Sequence, residues 1–541
     1  MTVTVRDGTF DALRLRGLTT IFSNPGSTEV PFLTDLPDDF EFILALHEGS
    51  VVGMATGYAL ATGRPAFALL HTTAGLGNAV GAIATARANR APLVVMVGQQ
   101  DRRHLALEPF LTGRLEGLAG DYPLEVISPV LASDVPSAVS RAALRAEQGG
   151  GPVVVIVPMG DWDEPLDPHA AAAARRVVVS PPGIPAAAEE VAVLLAEAKN
   201  PAILAGAGND TGAGWAALTA LAEQLQAPVW IEPFGARAGF HQAHPLYRGQ
   251  LPADRPRLRA VLAGHDVLLV AGTAAIRQYP YTEGPLVPEE TRVVVLTADA
   301  AEANRSPAEL SLVGDPAVLA AGIGGLLAAH LPEPRTPRPA VVETPAQGFR
   351  LEPPRDGEPL RAAHVFDLLA RFLPADAVVV EEAPSSRPAL QAMVPARSPL
   401  GFVSAAMGGL GFALPAAIGL KMGLSERTVV AVVGDGSSLY AIQSLWTAAE
   451  RGVPVVFIVL ANGTYAVMDR LADKRGGKAP WPSFPQLSVA TLAEGLGVQA
   501  RRIKDFGALE AELSALAAPV GATGAPLLLE VGVAPEEVFA P

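Results

Sequence analysis

Short apolar runs and longer alanine-rich stretches alternate along the whole chain. In the first third, the apolar runs predict buried strands at residues 20–22, 66–70, 93–97 and 153–157. The stretches between them predict helices at residues 50–61 and 77–88. Because strands that alternate with helices form parallel sheets covered on both faces, this pattern predicts an α/β fold.

The same alternation returns twice, after each of two proline-rich segments. Strands are predicted at residues 202–205, 228–230, 267–270 and 293–296, and then at 377–380, 428–433 and 455–460. The segments at residues 180–183 and 332–345 have the composition of linkers. The chain is therefore predicted to form three successive parallel-sheet α/β domains, at residues 1–180, 181–340 and 341–541.

Composition narrows the classes of function. The 541 residues are enough for three domains with a core each. A net charge of −15 and a pI near 5.1 argue against a nucleic-acid partner, which would need clustered Lys and Arg. The absence of cysteine excludes disulfides, thiolate catalysis and Cys-based metal sites. With neither a signal-peptide pattern nor an apolar run long enough for a membrane, we expect a cytoplasmic protein.

The strongest candidate for chemistry is a pair of loops that follow two predicted strands. One strand ends in Gly-Asp-Gly (434–436) and the next ends in Asn-Gly-Thr (462–464). Ligands of parallel sheets bind at the carboxyl ends of strands, where glycines let the backbone approach an anion. A carboxylate, an amide oxygen and a backbone carbonyl suit Mg²⁺. A helix predicted at residues 439–451 would add N–H groups for a phosphate.

Gly-Asp-Gly alone is about as often an ordinary turn between a strand and a helix as a metal site. Here, however, Asn462 follows Asp435 by 27 residues, and a strand precedes each motif. This combination resembles the signature of enzymes that bind thiamine diphosphate (ThDP) with a divalent metal ion. The resemblance implies that Asp435, the Asn462 side chain and the Thr464 carbonyl bind Mg²⁺. The family usually has a further asparagine where this chain has Ala461, so a supporting contact would be lost.

Further motifs extend the resemblance along nearly the whole chain. They occupy residues 24–29, 44–48, 70–72, 98–100, 408–415 and 445–449. Together they are similar to the ThDP-dependent decarboxylases, and most closely to the benzoylformate decarboxylase group. The resemblance implies a pyrimidine-binding N-terminal domain, a middle domain, and a C-terminal domain that binds diphosphate and Mg²⁺. It also implies that two subunits share each site, so a homodimer is the minimum and a homotetramer is usual.

Three residues are expected to act on the reaction itself. Glu48 follows the apolar run 42–46, and a buried carboxylate tends to keep its proton. The resemblance implies that Glu48 donates to N1′ of the aminopyrimidine ring, whereas a charge at a helix N-terminus is the alternative. It also implies that Ser27 binds the substrate carboxylate and that His71 transfers protons, although a single histidine after a strand is often structural.

The expected contacts with the cofactor also come from the resemblance. Gly408 and Gly409 would admit the pyrimidine ring close to the backbone, and Leu410 would bend the cofactor into a V shape. Isolated serines in loops are common turn residues, so the serines depend on the resemblance alone. The predicted cofactor-binding residues are Asn24, Pro25, Gly26, Ser385, Ser386, Gly408, Leu410, Gly434, Gly436, Ser437 and Tyr465.

The resemblance also predicts the substrate pocket, with lining residues Leu111, Tyr279, Pro384, Val467 and Leu471. Four of the five are apolar, which suits an aromatic or branched side chain. Tyr279 stands where the family has a second pocket histidine, and a phenol is a poorer acid–base group than an imidazole at neutral pH. Asp469 and Arg470 lie in the same segment, and either could face the pocket.

The middle domain carries one weak nucleotide signal. Gly206-Ala207-Gly208 follows a predicted strand, but it lacks the full spacing of a dinucleotide-binding loop. Some members of the family bind FAD or an adenine nucleotide there. We expect a structural middle domain without a nucleotide.

The resulting prediction is ThDP- and Mg²⁺-dependent, non-oxidative decarboxylation of an aryl or branched 2-keto acid to an aldehyde and CO₂. The alternative is a carboligase or 2-hydroxyacyl lyase on the same scaffold, which Tyr279 favours. A non-catalytic homologue is a third hypothesis, and the presence of Glu48, Asp435 and Asn462 argues against it.

Overall fold

A computed structural model describes residues 2–169, 177, 183–331, 333, 335–336, 351–355, 357–517 and 524–535. Its strands form three six-stranded sheets, and the paired strands run parallel. The predicted α/β class is therefore confirmed. The predicted domain boundaries at residues 180 and 340 lie outside the described residues. In the described part of the chain, no helix is both long enough and apolar enough to cross a bilayer.

The first sheet forms the core of the N-terminal unit. Its strands are β1 (Thr20–Asn24), β2 (Glu41–Leu44), β3 (Ala66–Leu70), β4 (Leu93–Gln99), β5 (Glu125–Ile127) and β6 (Pro152–Pro158). Its helices are α1 (Val5–Arg16), α2 (Val30–Leu33), α3 (Glu48–Thr62), α4 (Thr72–Ala88) and α5 (Val135–Gly149). The strand order is β2-β1-β3-β4-β6-β5, and every residue of β3, β4 and β6 is buried between the helix layers.

The second sheet forms the middle unit. Its strands are β7 (Ala202–Ala205), β8 (Val229–Ile231), β9 (Tyr247–Gln250), β10 (Val267–Ala271), β11 (Arg292–Thr297) and β12 (Leu310–Val313). Its helices are α6 (Ala187–Glu197), α7 (Gly212–Leu225), α8 (Arg255–Leu262), α9 (Ala300–Arg305) and α10 (Pro316–His330). The order β12-β11-β10-β7-β8-β9 reverses direction between β10 and β7.

The third sheet forms the C-terminal unit. Its strands are β13 (Val378–Glu382), β14 (Phe402–Ser404), β15 (Val429–Gly434), β16 (Val456–Ala461), β17 (Gln499–Ile503) and β18 (Leu527–Gly532). Its helices are α11 (Ala362–Phe372), α12 (Arg387–Met393), α13 (Ala413–Gly423), α14 (Asp435–Ser438), α15 (Ser444–Glu450), α16 (Ala466–Lys474), α17 (Val489–Gly495) and α18 (Phe506–Ser514). The order β14-β13-β15-β16-β18-β17 makes β15 and β16 neighbours.

A seam of small residues between α3 and α13 joins the N-terminal and C-terminal units. A Cβ atom at Gly53 would lie 2.6 Å from Pro415 at one end of the seam, and one at Gly423 would lie 2.6 Å from Ala61 at the other. Between them, a Cβ at Gly57 would lie 2.1 Å from a backbone oxygen of α13. The helices approach this closely because glycine has no side chain. They run parallel, so both begin at the same end of the seam.

The prediction of a helix at residues 439–451 is wrong about where the helix begins. The short helix α14 begins at Asp435 and ends at Ser438, and α15 begins only at Ser444. The Ser438 hydroxyl donates to the Asp435 carbonyl at 2.7 Å, and thereby competes with the N–H groups of a continuing helix. The helix start that was expected to face a phosphate therefore lies at Asp435 itself.

Candidate active site

The two loops predicted to bind a metal lie side by side, because β15 and β16 are hydrogen-bonded neighbours. One carboxylate oxygen of Asp435, Oδ2, accepts the N–H of Gly463 at 2.7 Å. The Asn462 amide oxygen accepts the N–H of Thr464 at 3.1 Å. The carboxylate, the amide and the carbonyl expected to bind Mg²⁺ thus belong to one pair of hydrogen-bonded loops.

Burial makes the Asp435 carboxylate a suitable ligand for a cation. Burial raises the pKa of Asp435, although backbone N–H donors, that of Gly463 first among them, lower it. A bound cation would offset the cost of keeping this carboxylate ionised. Among the described residues, no three His, Asp or Glu side chains form a metal-binding group. A site with one carboxylate and two neutral oxygens fits Mg²⁺, which also binds phosphate oxygens and water.

Asp469 anchors the loop that follows the metal-binding segment. It accepts hydrogen bonds from the Thr464 hydroxyl and, at 2.8 Å, from the indole N–H of Trp481. The Phe484 N–H donates to the Gly463 carbonyl at 2.8 Å, so this loop lies over the metal-binding segment. The Asp469 carboxylate is therefore occupied by these donors and does not line the cavity described below.

The residues predicted to contact the diphosphate surround these loops. Ser437 is buried, and Gly436 leaves room for the Tyr465 ring, since a Cβ there would lie 2.6 Å from it. Ser385 and Ser386 follow β13, which pairs with β15 on the side opposite β16. The predicted diphosphate residues therefore gather at the carboxyl ends of three adjacent strands, where parallel sheets bind ligands.

A buried carboxylate fixes the turn that carries Gly408 and Leu410. Glu382, the last residue of β13, accepts the N–H groups of residues 411–413 at 2.7 to 2.8 Å. Burial raises the pKa of Glu382 to about 7, against the effect of these three donors. Gly408 has φ +74°, a conformation that glycine adopts without strain. The Leu410 side chain remains partly exposed beside the turn.

A cavity of ≈560 Å³ opens beside this turn, between the middle and C-terminal units. We call it the substrate cavity. Three of the predicted pocket residues, Tyr279, Pro384 and Val467, line it. Leu471 lies one helical turn beyond Val467 on α16 and Leu111 lies on a loop of the N-terminal unit, and neither is part of the lining.

Glu48 lies in the N-terminal unit as the first residue of α3, and its side chain is buried. Its carboxylate accepts hydrogen bonds from the amide of Asn24 at 3.3 Å and from that of Asn78 at 3.0 Å. Glu48 therefore fits both interpretations of the sequence, because it is an acidic residue at a helix N-terminus and its side chain is buried. Pro25, the next residue after Asn24, is exposed. Nothing in the sequence pattern indicated Asn78.

His71 belongs to a compact polar cluster at the end of β3. Its Nδ1 lies 3.0 Å from a Glu29 carboxylate oxygen and 2.8 Å from the Thr28 hydroxyl. A proton on Nδ1 can be shared with Glu29, which leaves Nε2 to exchange protons with a substrate. Gly26 allows this packing, since a Cβ there would lie 2.4 Å from the imidazole ring. Ser27, between these residues, is exposed.

Glu29 is the residue of this cluster to which sequence reasoning gave no role. It is 1% exposed, and burial raises its pKa, although hydrogen bonds from Thr28, Gly26 and His71 lower it. The sequence did contain a signal for this residue, because the motif at residues 24–29 ends in Glu29. Since it contacts the imidazole, we regard Glu29 as a positioning residue for His71.

We expect Glu29→Gln to change how stability depends on pH. Because the pKa of Glu29 is raised in the folded chain, its contribution to stability is present at low pH and is lost as pH rises. Glutamine stays neutral, so the melting temperature of the variant relative to wild type should be higher at pH 8 than at pH 5. We expect a difference of roughly 2 °C, as about 1 kcal/mol produces in domains of this size.

Exposed Glu116 supplies the matched control for that measurement. Glu116→Gln should shift the melting temperature equally at both pH values. A Glu29→Gln curve parallel to wild type from pH 5 to pH 8 would contradict the raised pKa.

Ser27, Glu48 and His71, which we call the predicted catalytic half-site, are not part of the lining of the substrate cavity within one chain. Gly409 packs against Thr85 near the C-terminal end of α4, whereas His71 precedes its N-terminal end. At about 1.5 Å per residue, roughly 20 Å of helix separates Thr85 from His71. The described lining of the cavity comes only from the middle and C-terminal units. One chain alone therefore does not place His71 at this cavity.

In the middle unit, the side chain of Glu232 occupies the crevice in which a nucleotide could otherwise bind. Nucleotides bind sheets of this kind where the strand order reverses, here between β10 and β7. At this point Glu232 accepts the N–H of Ala207 at 3.3 Å and the Thr273 hydroxyl at 2.7 Å. A Cβ at Gly208 would lie 2.8 Å from the Gly272 carbonyl oxygen, so the backbones are in contact. A phosphate bound at this point would have to displace Glu232.

Comparisons with known proteins identify the family to which the chain belongs. The models of thiamine pyrophosphate enzymes match three successive parts of the chain. The N-terminal TPP-binding domain matches residues 3–122, the central domain 188–323 and the C-terminal TPP-binding domain 385–531. Thiamine pyrophosphate is another name for ThDP.

Individual relatives extend the match over the full length. The chain is 38% identical to benzoylformate decarboxylase from Pseudomonas aeruginosa over 536 residues, which cover 98% of each protein. Its structure is similar to the ThDP-dependent 4-hydroxybenzoylformate decarboxylase of Rhodococcus jostii RHA1, with a TM-score of 0.92, 35% identity and coverage of 99% and 100%. Benzoylformate decarboxylase from Polynucleobacter necessarius gives a TM-score of 0.91, 31% identity and coverage of 98% and 99%. The chain therefore belongs to the thiamine pyrophosphate enzyme family, among the members that resemble benzoylformate decarboxylase.

Proposed function

We propose that the chain decarboxylates a 2-keto acid with an aryl or branched side chain, using ThDP and Mg²⁺, and releases an aldehyde and CO₂. The observation that carries this proposal is the contact between Asp435 and the loop of residues 462–464, next to a cavity that Leu410 and Val467 line. The decarboxylases of benzoylformate and 4-hydroxybenzoylformate among the relatives support the same class of substrate.

The cofactor would be held at the carboxyl ends of β13, β15 and β16. Asp435, the Asn462 amide oxygen and the Thr464 carbonyl would bind Mg²⁺, and the neighbouring glycines and serines would contact the diphosphate. Leu410 would support the bend between the two rings. When bound, ThDP supplies the carbon nucleophile that adds to the keto group and holds the electron pair that CO₂ leaves behind.

The protein's own side chains bind the substrate and move protons. Glu48, held by two amides, would share a proton with the pyrimidine ring. His71 would use Nε2 to exchange protons with the substrate, since Glu29 orients the other nitrogen. Exposed Ser27 lies in the same loop and would donate a hydrogen bond to the substrate carboxylate.

The apolar part of the cavity lining fits the proposed side chain. Phe234, Pro384 and Val467 lie in this lining with a small number of polar groups. Its volume, ≈560 Å³, lies within the range of about 300 to 1,000 Å³ that is usual for small-molecule sites. A benzene ring or a branched aliphatic chain can be enclosed there.

Assembly of two chains is part of the same proposal. Since the predicted catalytic half-site is not part of the lining of the substrate cavity in one chain, each complete site would take one half from each of two subunits. A homodimer is therefore the minimum, and a homotetramer would be a pair of such dimers. We propose a cytoplasmic enzyme whose partner is the small keto acid, with neither a nucleic-acid nor a membrane partner.

Tyr279 favours a second candidate, a carboligase or 2-hydroxyacyl lyase that makes or cleaves acyloins. Its ring lies at the edge of the substrate cavity, 60% exposed and edge-to-face with Phe234 at 5.9 Å between centroids. A phenol transfers protons less readily than an imidazole at neutral pH. Slower delivery of a proton to the carbon that has lost CO₂ would leave time for a second aldehyde to react there instead.

Product analysis separates the two candidates. The full-length protein with ThDP and Mg²⁺ is given benzoylformate, and CO₂, benzaldehyde and benzoin are measured. Stoichiometric CO₂ and benzaldehyde are expected, whereas acyloin as the main product would establish the carboligase. If ThDP binds but no CO₂ appears, other aryl and branched keto acids are compared, and failure of all of them would overturn the decarboxylase proposal.

A further inference from the structure

The turn proposed to receive the pyrimidine ring, residues 405–410, follows a residue to which all three units hydrogen-bond. We call these residues the cofactor turn. Ser404, the last residue of β14, donates its hydroxyl to Glu381 of the C-terminal unit at 2.9 Å and its N–H to the Ala236 carbonyl of the middle unit at 2.8 Å. Its carbonyl accepts the side-chain amide of Asn89 at 3.0 Å. The polar groups of Ser404 are therefore bonded to three different units, which fixes where the turn begins.

Asn89 is the contribution of the N-terminal unit to this anchor. It is the residue directly after α4, and it is 2% exposed. Its amide nitrogen donates to the Ser404 carbonyl, and its oxygen accepts the N–H of Ala406 at 2.6 Å. One buried side chain therefore bonds the backbone on both sides of Ala405 and holds these residues at a fixed spacing.

The cofactor turn is held at two further points. A Cβ atom at Gly409 would lie 2.7 Å from the Thr85 hydroxyl oxygen, so the backbone of the turn lies directly against α4, one helical turn before Asn89. After the turn, Glu382 accepts the N–H groups of residues 411–413. The turn is thus anchored at both ends and packs against the N-terminal unit in between.

The backbone between these anchors is strained at Met407. This residue has φ +67°, in the left-handed region that residues with a side chain rarely adopt. Its side chain is 74% exposed, with the Arg277 guanidinium 3.6 Å from the sulfur, so burial of the side chain does not explain the conformation. A strained backbone persists only where the surrounding structure imposes it. Here the bonds of Asn89 to Ser404 and Ala406 directly precede the strained residue.

We propose that Asn89 is a positioning residue for the cofactor, which holds the cofactor turn in its binding shape before ThDP arrives. The inference rests on the proposed placement of ThDP against this turn, and it gives the N-terminal unit of the same chain a part in forming that site. Without Asn89, the turn can relax at Met407, and only a fraction of the molecules keeps the binding shape. The apparent Kd for ThDP then rises in inverse proportion to that fraction, whereas saturating ThDP restores the shape.

Titration calorimetry of the full-length protein with ThDP, at saturating Mg²⁺, tests this role. Asn89→Ala should raise the Kd by about tenfold or more, because it leaves two buried backbone groups without a partner. At saturating ThDP, kcat and KM for benzoylformate should stay within about threefold of wild type.

Asn209→Ala is the matched control. Asn209 is a buried asparagine of the middle unit, and its amide donates to the Ala271 carbonyl at 2.5 Å. This variant also loses a buried hydrogen bond, but it should bind ThDP like the wild type. A Kd for Asn89→Ala equal to that of Asn209→Ala, whatever the two melting temperatures, would show that Asn89 only stabilises the fold and would overturn the inference.

Hydrogen exchange examines the turn without turnover. In the wild type without ThDP, the peptide that contains Ala406 should be protected, because Asn89 accepts its N–H. Exchange there as fast as in an unfolded chain would overturn the inference, even if Asn89→Ala does not fold. In Asn89→Ala this peptide should exchange about tenfold faster, and saturating ThDP should return it to the wild-type rate. If ThDP binding depends on Asn89 in this way but no keto acid is cleaved, the proposed decarboxylase function is wrong and the inference stands.

Discussion

Glu48→Gln is expected to lower kcat/KM for benzoylformate by about 10²- to 10⁴-fold, the range in which positioned acid–base groups contribute. The Glu48 carboxylate is buried and held between the amides of Asn24 and Asn78. Glutamine keeps nearly the same shape but can neither give nor take the proton that the pyrimidine ring requires. Binding of ThDP, measured by titration calorimetry, should stay within about threefold of wild type, because the proposed metal and diphosphate contacts belong to the C-terminal unit.

Glu41 supplies the matched control for this variant. It lies on β2 a few residues before Glu48, but it is exposed and pairs with Arg451. Glu41→Gln should retain wild-type kcat/KM. Full activity of Glu48→Gln would contradict the assignment of the acid to this residue.

Asp435→Asn is expected to weaken Mg²⁺-dependent binding of ThDP by about 100-fold or more. Changes to groups that merely support a metal ligand cost about 10- to 100-fold, and Asp435 is the one carboxylate of the proposed ligand set. The asparagine can still accept the Gly463 N–H, so the loop geometry should persist while the charge is lost. The intrinsic fluorescence of Trp481, which contacts Asp469 beside the site, can report the titration with Mg²⁺ and ThDP.

Exposed Asp473 on α16 provides the comparison, since Asp473→Asn removes a nearby charge without touching the loops. This variant should bind Mg²⁺ and ThDP like the wild type. Unchanged Mg²⁺ affinity in Asp435→Asn would show that the metal is bound elsewhere.

Mixing the two inactive variants tests whether two chains share each site. In a dimer of one Glu48→Gln and one Asp435→Asn subunit, one site carries both changes and the other carries neither. After subunit exchange at equal amounts, half of the dimers are mixed, so about a quarter of wild-type activity should return. If each site were built within one chain, mixing would restore nothing.

The central strands of all three sheets could be predicted from the sequence because they are buried on both faces. Residues 66–70 and 93–97, for example, are continuous apolar runs, and the structure places β3 and β4 there. Strands at sheet edges escaped prediction. β5 and β17 each pair on one side only and carry charged residues, so they form no continuous apolar run. β18 pairs on both sides, and its apolar run at residues 527–529 is a signal of the same kind as those of β3 and β4.

A site formed by loops that follow adjacent strands was easier to predict than contacts made by residues on helices. Asp435 and Asn462 each follow a predicted strand, and adjacent parallel strands bring such residues together at one edge. Asn78 and Gln391 lie on helices, and only the packing of these helices decides that they face Glu48 and the substrate cavity. No local pattern indicates that packing. Asp469 was expected near the pocket from its position in the sequence. Its hydrogen-bond partners, Thr464 and Trp481, follow only from the folded loop.

The close contact between α3 and α13 has a consequence for communication within the proposed dimer. Each chain would give Glu48, at the start of α3, to one active centre, and the turn before α13 to the other. Because Gly53, Gly57 and Gly423 leave no space between the two helices, neither helix can shift without moving its neighbour. In the proposed dimer, every subunit would then join the two centres through one pair of closely packed helices.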